Sequence, residues 1–350
     1  MMHPKTIKAI AVVAEGKLEV VELPFPEYGE YECLVRFTAS GYCSGTDKKI
    51  VHNKLAGMTI QYPTILGHEG VGYVVECGAK VRNFQVGDRI AGPLGKFPRD
   101  QYSATFGCMV QYGVVHDVVA INEDQELLFG SKVRDPRDYP AKKIPDSVSD
   151  VDAAMLLTFK ENYSALKNFG MQPGMDVLIY GDGSVANGVA LFARQMGAGW
   201  LGVVGHHEDR LTRVEQTACP DRIFNSSQAS LVEAMADRKV DLVIDCVGNL
   251  EIVKEGATFL RPGGRVAIYG VLSRANADLN LLDLPNNVCV QILNWPYHEH
   301  REHEAILELI KAGKLNPKDF YSHVLPMEDC QKGADLIEKR EAYKVIFTMD

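Results

Sequence analysis

The chain has 350 residues, 46% of them hydrophobic and 24% charged, and a formal net charge of −9 at pH 7. That length accommodates two domains with separate cores, and the composition excludes a disordered or collagen-like chain. The acidic balance argues against nucleic acid as the principal partner. No apolar run approaches a membrane span, and the Met1-Met2-His3-Pro4 start does not read as a secretory signal.

In chain order, residues 5–14, 17–22 and 32–39 are short strand candidates separated by turns bearing proline or glycine. Residues 70–75 and 86–91 continue the pattern, so the first 150 or so residues predict a compact β-rich domain. Residues 93–105 read as a surface loop and 122–142 as a polar, charged insertion. Near Asp150 the pattern becomes helical. Asp176-Val177-Leu178-Ile179-Tyr180 is then a buried strand, and Val185, Val189, Phe192 and Met196 recur at the spacing of an amphipathic helix.

Between that strand and that helix stands Gly181-Asp182-Gly183-Ser184-Val185-Ala186. The context makes it a dinucleotide-binding fingerprint. Gly181 permits the tight turn, Gly183 admits a pyrophosphate, Ala186 lets the helix pack close, and the helix start holds the phosphate charge. The plainer alternative is an ordinary βα turn. Further strands at 201–204, 241–246, 265–269 and 288–293, with a helix at 251–260 ending before Pro262-Gly263-Gly264, predict a doubly wound parallel sheet. Its ligand would lie at the carboxyl ends of the strands, where Gly205, Cys246-Val247-Gly248 and Gly270-Val271 fall. Residues 343–348 look like a closing strand that returns to the first domain. The expected division is 1–155, completed by about 290–350, and 156–289. The eight cysteines are scattered with no Cys-x-x-Cys pair, which suits reduced thiols in a cytoplasmic protein.

Six segments, in this order, resemble the medium-chain, zinc-type alcohol dehydrogenase superfamily: Gly41-Tyr42-Cys43-Ser44-Gly45-Thr46-Asp47, Gly67-His68-Glu69-Gly70-Val71-Gly72, Val86-Gly87-Asp88-Arg89, residues 176–188, Asp245-Cys246-Val247-Gly248 and Pro262-Gly263-Gly264-Arg265. The sorbitol and sugar dehydrogenase branch is the most similar. The resemblance implies a chaperonin-10-like (GroES-like) catalytic domain joined to a Rossmann domain. It also implies hydride transfer between an alcohol carbon and a nicotinamide, with one catalytic zinc. Cys43 and His68 lie at the family's ligand positions, and Glu69 is a further ligand or a partner behind them. Ser44 or Thr46 would relay the substrate proton.

The chain departs from the pattern twice. Ser44 and Gly45 both separate Cys43 from Thr46, so either the loop carries an extra residue or Ser44 takes the ligand slot with Cys43 packed behind. The third ligand normally falls on Leu157, which cannot bind a metal; Glu161, one turn on, is either that ligand or a solvated carboxylate. The lobe of a structural zinc has no cysteine between Gly92 and Phe106, so no structural zinc is expected.

NAD-binding folds usually end the second strand with a carboxylate; here that position is Gly205, followed by His206, His207 and, at one turn's distance, Arg210. This predicts NADP, with NAD as the alternative. Asn294-Trp295-Pro296-Tyr297-His298-Glu299-His300-Arg301 reads as a mobile polar loop, with a surface helix as the competing reading. The resemblance implies that it borders the nicotinamide pocket and the subunit interface, and its polar groups suit a small polyhydroxylated substrate, a sugar, polyol or cyclitol. The expected assembly is a homodimer or homotetramer. Two rival functions share the fold: a zinc-independent reductase, and a nicotinamide-binding protein without catalysis.

Overall fold

A computed structural model describes residues 3–55, 58–104, 106–272, 278–293 and 296–350. The backbone gathers into two compact units: residues up to Lys160 together with His300–Asp350, and Glu161–Glu299. No helix of the described residues is long and apolar enough to cross a membrane.

The first unit is built around strand Glu32–Tyr42, whose Cys33, Leu34 and Val35 are fully buried. It pairs antiparallel with Glu69–Cys77, Tyr112–His116 and, from the chain's end, Val345–Thr348. A second sheet joins Lys17–Pro24, Thr6–Ala14, Thr64–Ile65 and Ser103–Ala104. Sequence patterning extends one strand too far: it starts at Arg89, not residue 86. Gly87 at φ +93° and Asp88, whose carboxylate accepts the Gln85 N–H at 2.9 Å, make a turn that leaves Val86 exposed. The polar insertion also carries structure, a hairpin of Leu127–Leu128 with Ser131–Lys132, and just before it buried Asp117 caps helix Val118–Glu123 and accepts the N–H groups of Arg82 and Asn83.

The second unit is a six-stranded parallel sheet. Its order is Arg222–Asn225, Trp200–Gly205, Asp176–Tyr180, Val240–Asp245, Leu260–Ile268, Cys289–Ile292. Numbered along the chain this is 3-2-1-4-5-6, the doubly wound arrangement whose order reverses between the first and fourth strands. Helices Ser184–Gln195, Glu208–Ala218 and Leu250–Thr258 turn their apolar stripes inward through Val189 and Phe192, Leu211 and Val214, and Leu250 and Val253. Pro262, Gly263 and Gly264 do not separate helix from strand as expected. They lie inside strand Leu260–Ile268, where the pairing with Val240–Asp245 shifts register; Pro262 and Gly263 are exposed and Gly264 is buried.

Candidate active site

In the first unit, strand register brings the candidate ligands together. Gly41 stands opposite Glu69, so Cys43, just past one strand's end, neighbours His68, just before the other's start. Only glycine fits at 41, since a Cβ there would collide with the Glu69 carboxylate. Donor atoms of Cys43, His68 and Glu69 lie within 4.8 Å of one another. Cys43 Sγ also accepts the Thr46 N–H at 3.4 Å, while Ser44 is exposed and Thr46 buried.

Asp47, to which sequence reading gave no role, is fully buried. It accepts the Cys43 N–H at 2.8 Å, and its other oxygen faces His68 Nδ1 at 3.6 Å. Burial opposes charge on His68, but Asp47 and then Cys43 outweigh it and raise the imidazole pKa well above its ordinary value. A carboxylate behind one ring nitrogen, with the other turned to a thiol and a second carboxylate, is how metal-binding histidines are oriented. This mixed sulfur, nitrogen and oxygen donor set fits zinc.

Glu69 has a prior commitment. Lys344 Nζ lies 2.7 Å from its Oε1 and 2.5 Å from its Oε2, and the Thr158 hydroxyl donates to Oε1 at 2.9 Å. Burial disfavours the Lys344 ammonium, yet Glu69 outweighs it and lifts the lysine above its usual value. Leu157 does reach the site: with His68, Glu69, Lys160 and His300 it lines a cavity of about 20 Å³. Three residues on, buried Lys160 also lines that cavity, whereas Glu161, the alternative ligand or solvated carboxylate, is not among the lining residues.

The polar run after residue 293 is not a plain loop. Asn294 and Trp295 lie outside the described residues. The Tyr297 carbonyl accepts the Ser164 hydroxyl at 2.6 Å, and His298 is exposed. His300 accepts from Lys160 Nζ through Nδ1 at 3.2 Å; burial and then Lys160 push its pKa down to about 2, so it is neutral. Buried His303 donates from Nε2 to the Lys143 carbonyl at 2.8 Å.

In the second unit the glycine turn has the geometry its sequence implies. Gly181 adopts φ +129° with Ala186 packed beneath it, and Gly183, Ser184 and Val185 open helix Ser184–Gln195. A Cβ at 183 would meet nothing within 4 Å, the open approach that a pyrophosphate needs. Gly183→Val should therefore fold normally and lose most nicotinamide binding; calorimetry showing unchanged affinity would count against this placement. Asp245 holds the neighbouring turn by accepting the N–H groups of Val247, Gly248 and Asn249 at 2.8, 3.0 and 2.9 Å. Its carbonyl takes the Gly270 N–H at 2.8 Å, bringing Gly270-Val271 against Cys246-Val247-Gly248.

Gly205 ends its strand as expected, but its surroundings differ from those inferred. Asp182, from the glycine turn, reaches across to it, accepting the N–H groups of His206 and His207 at 2.9 Å each. His207 Nδ1 also lies 3.0 Å from Asp182, and an Arg210 nitrogen lies 4.0 Å away. A carboxylate is thus present at the end of the second strand. The premise of the NADP expectation, that none is available there, does not hold.

Two family models match the chain: alcohol dehydrogenase GroES-like domain over residues 29–128 and zinc-binding dehydrogenase over residues 185–312. Sorbitol dehydrogenase of Bacillus subtilis (strain 168) is 27% identical, with 98% of this chain and 97% of that protein aligned. L-threonine 3-dehydrogenase of Vibrio parahaemolyticus is also 27% identical, over 97% of this chain and 98% of its own length. Among solved structures, a zinc-binding dehydrogenase of Sinorhizobium meliloti 1021 bound to NADP matches with TM-score 0.75 at 21% identity, covering 99% of this chain and all of that one. The two folds, their order and these full-length relatives agree: the chain is an oxidoreductase of the zinc-type medium-chain alcohol dehydrogenases, on their sorbitol dehydrogenase-like branch.

Proposed function

We propose that the chain moves a hydride between a nicotinamide dinucleotide and the alcohol or ketone carbon of a small hydroxyl-rich molecule, a sugar, polyol or cyclitol. The observation that carries this is the convergence of Cys43, His68 and Glu69 with Asp47 behind the imidazole. Cys43 and His68 would hold a catalytic zinc, with Glu69 as the third donor. When bound, the metal supplies a Lewis acid that acidifies the alcohol or polarises the ketone. The chain's own groups do the rest. Asp47 fixes the His68 ring with Nδ1 toward itself, and Thr46, with exposed Ser44 beyond it, offers the hydroxyls that pass the substrate proton outward. Lys160 and His300 give the cavity wall polar groups that discriminate hydroxyl-bearing substrates from apolar ones. In the second unit, Gly181 to Ala186 receive the pyrophosphate. The sorbitol dehydrogenase relatives support the polyol class, whereas the threonine dehydrogenases show the same scaffold serving an amino-acid alcohol. A cytoplasmic homodimer or homotetramer completes the reading.

A second reading has its own observation. Leu157 replaces a ligand, Lys344 engages both Glu69 oxygens, and Lys160 places a cation in the cavity. Those features suit a reductase that polarises its substrate carbonyl without metal. A panel of polyols, aldoses and cyclitols assayed with both dinucleotides, before and after chelation, separates the two. Activity lost to chelation and restored by zinc is expected. Full turnover in metal-free protein transfers the polarising role to Lys160.

A further inference from the structure

The end of the second strand of the parallel sheet is filled from an unexpected direction. A Cβ on Gly205 would stand 2.7 Å from Asp182 Cβ, 2.9 Å from Asp182 Oδ2 and 2.7 Å from Leu211 Cδ2. The bare glycine is therefore not an opening for a phosphate; it is the room that the Asp182 side chain occupies. Asp182 is buried, at 6% exposure, and its Oδ2 accepts from two successive backbone amides and from the His207 ring. Burial opposes its charge, but the His206 and His207 amides outweigh that and hold its pKa below the ordinary aspartate value. An ionised carboxylate only accepts, so His207 Nδ1 carries the proton.

Those two amides precede helix Glu208–Ala218 and point where an incoming anion would seek donors. Asp182 has already taken them. Arg210 stands 4.0 Å from Oδ1 and offsets part of the charge, and the His206 ring lies 3.9 Å, centroid to centroid, from that of His207. A ribose 2′-phosphate arriving there would meet a carboxylate in possession of its amides, whereas a ribose hydroxyl would meet an acceptor. The three donors on Oδ2 also argue against Asp182, His206 and His207 serving as a cation site.

We propose that Asp182, supplied by the glycine turn, is the residue that sets cofactor choice, and that it selects the dinucleotide with an unphosphorylated ribose. This rests on the hydride-transfer reading and reverses the preference expected from Gly205 alone. The bare glycine and the missing acid are one device: the carboxylate comes from the first turn, and the glycine makes room for it.

The test is titration of the full-length chain with NADH and with NADPH, read by nicotinamide fluorescence at fixed ionic strength. Wild type should bind NADH at least about tenfold more tightly, because juxtaposed like charges cost more than that in affinity. Asp182→Asn keeps an acceptor for the amides and removes the charge, so the ratio should move toward NADPH by about tenfold, mainly through tighter NADPH. Asp182→Ser, smaller and uncharged, should move it the same way. Tighter NADPH binding by wild type overturns the proposal even if neither variant folds, and leaves the hydride-transfer reading standing. An unchanged ratio in a folded variant also overturns it. Binding of neither dinucleotide overturns both.

Discussion

His68→Ala and Cys43→Ala should each lose about a hundredfold or more in turnover, and their zinc, while still binding nicotinamide dinucleotide. The two residues bring the nitrogen and sulfur donors together, and Asp47 is committed to orienting one and accepting the backbone N–H of the other. The dinucleotide turn lies in the other compact unit, so cofactor binding reports that this unit remains folded in each variant. Asp47→Asn should act more mildly, weakening metal affinity by about 10–100-fold, because it loosens the ring's orientation without removing a ligand. Glu161→Ala should keep its zinc, since Lys160, three residues beyond Leu157, lines the cavity and Glu161 does not. Metal content and steady-state rates on one preparation read all four. Wild-type turnover in His68→Ala would discard the zinc mechanism in favour of the metal-free reductase.

What the sequence makes legible here is local. The glycine turn, the strand before it and the helix after it are contiguous, and period and composition suffice to read them. Cys43 and His68 could be paired only because each sits in a short motif with its own spacing. The groups missed are those whose role arises from contact between distant positions. Lys344 was visible as part of a closing strand, but nothing local says that its ammonium meets Glu69, 275 residues away. Lys160 reads as one more helix cation until the helix face is known. Gly205 shows the opposite error: an absent side chain was read as an absent carboxylate, when the carboxylate came from Asp182, 23 positions earlier. His298, His300 and His303 diverge for the same reason: the first is exposed, the second half-buried beside Lys160, and the third buried against the Lys143 carbonyl.

Lys344→Met should destabilise the metal-free protein severely. Glu69 and Lys344 are buried at 2% and 5% exposure, and the lysine reaches both carboxylate oxygens. Methionine preserves much of the volume but leaves Glu69 the Thr158 hydroxyl at 2.9 Å and, farther off, His68 Nε2 at 3.9 Å. Removing one partner of a buried ion pair costs about 3–5 kcal/mol, because the remaining charge stays desolvated. At about 2–4 °C per kcal/mol, the first unit should melt roughly 6–20 °C earlier. Glu69→Gln in the same chain should recover much of that loss, since a neutral amide accepts from Thr158 without a counter-ion. Zinc offers a second discrimination. If Glu69 can serve as the third donor, freeing it from Lys344 should strengthen zinc binding, and added zinc should restore the melting temperature of Lys344→Met. A melting loss that zinc leaves untouched would show that Glu69 acts only behind the ligands, with Cys43 and His68 as the protein's two donors. A variant as stable as wild type without metal would mean that the Glu69–Lys344 pair contributes no net stability, and the argument from buried charge would fail.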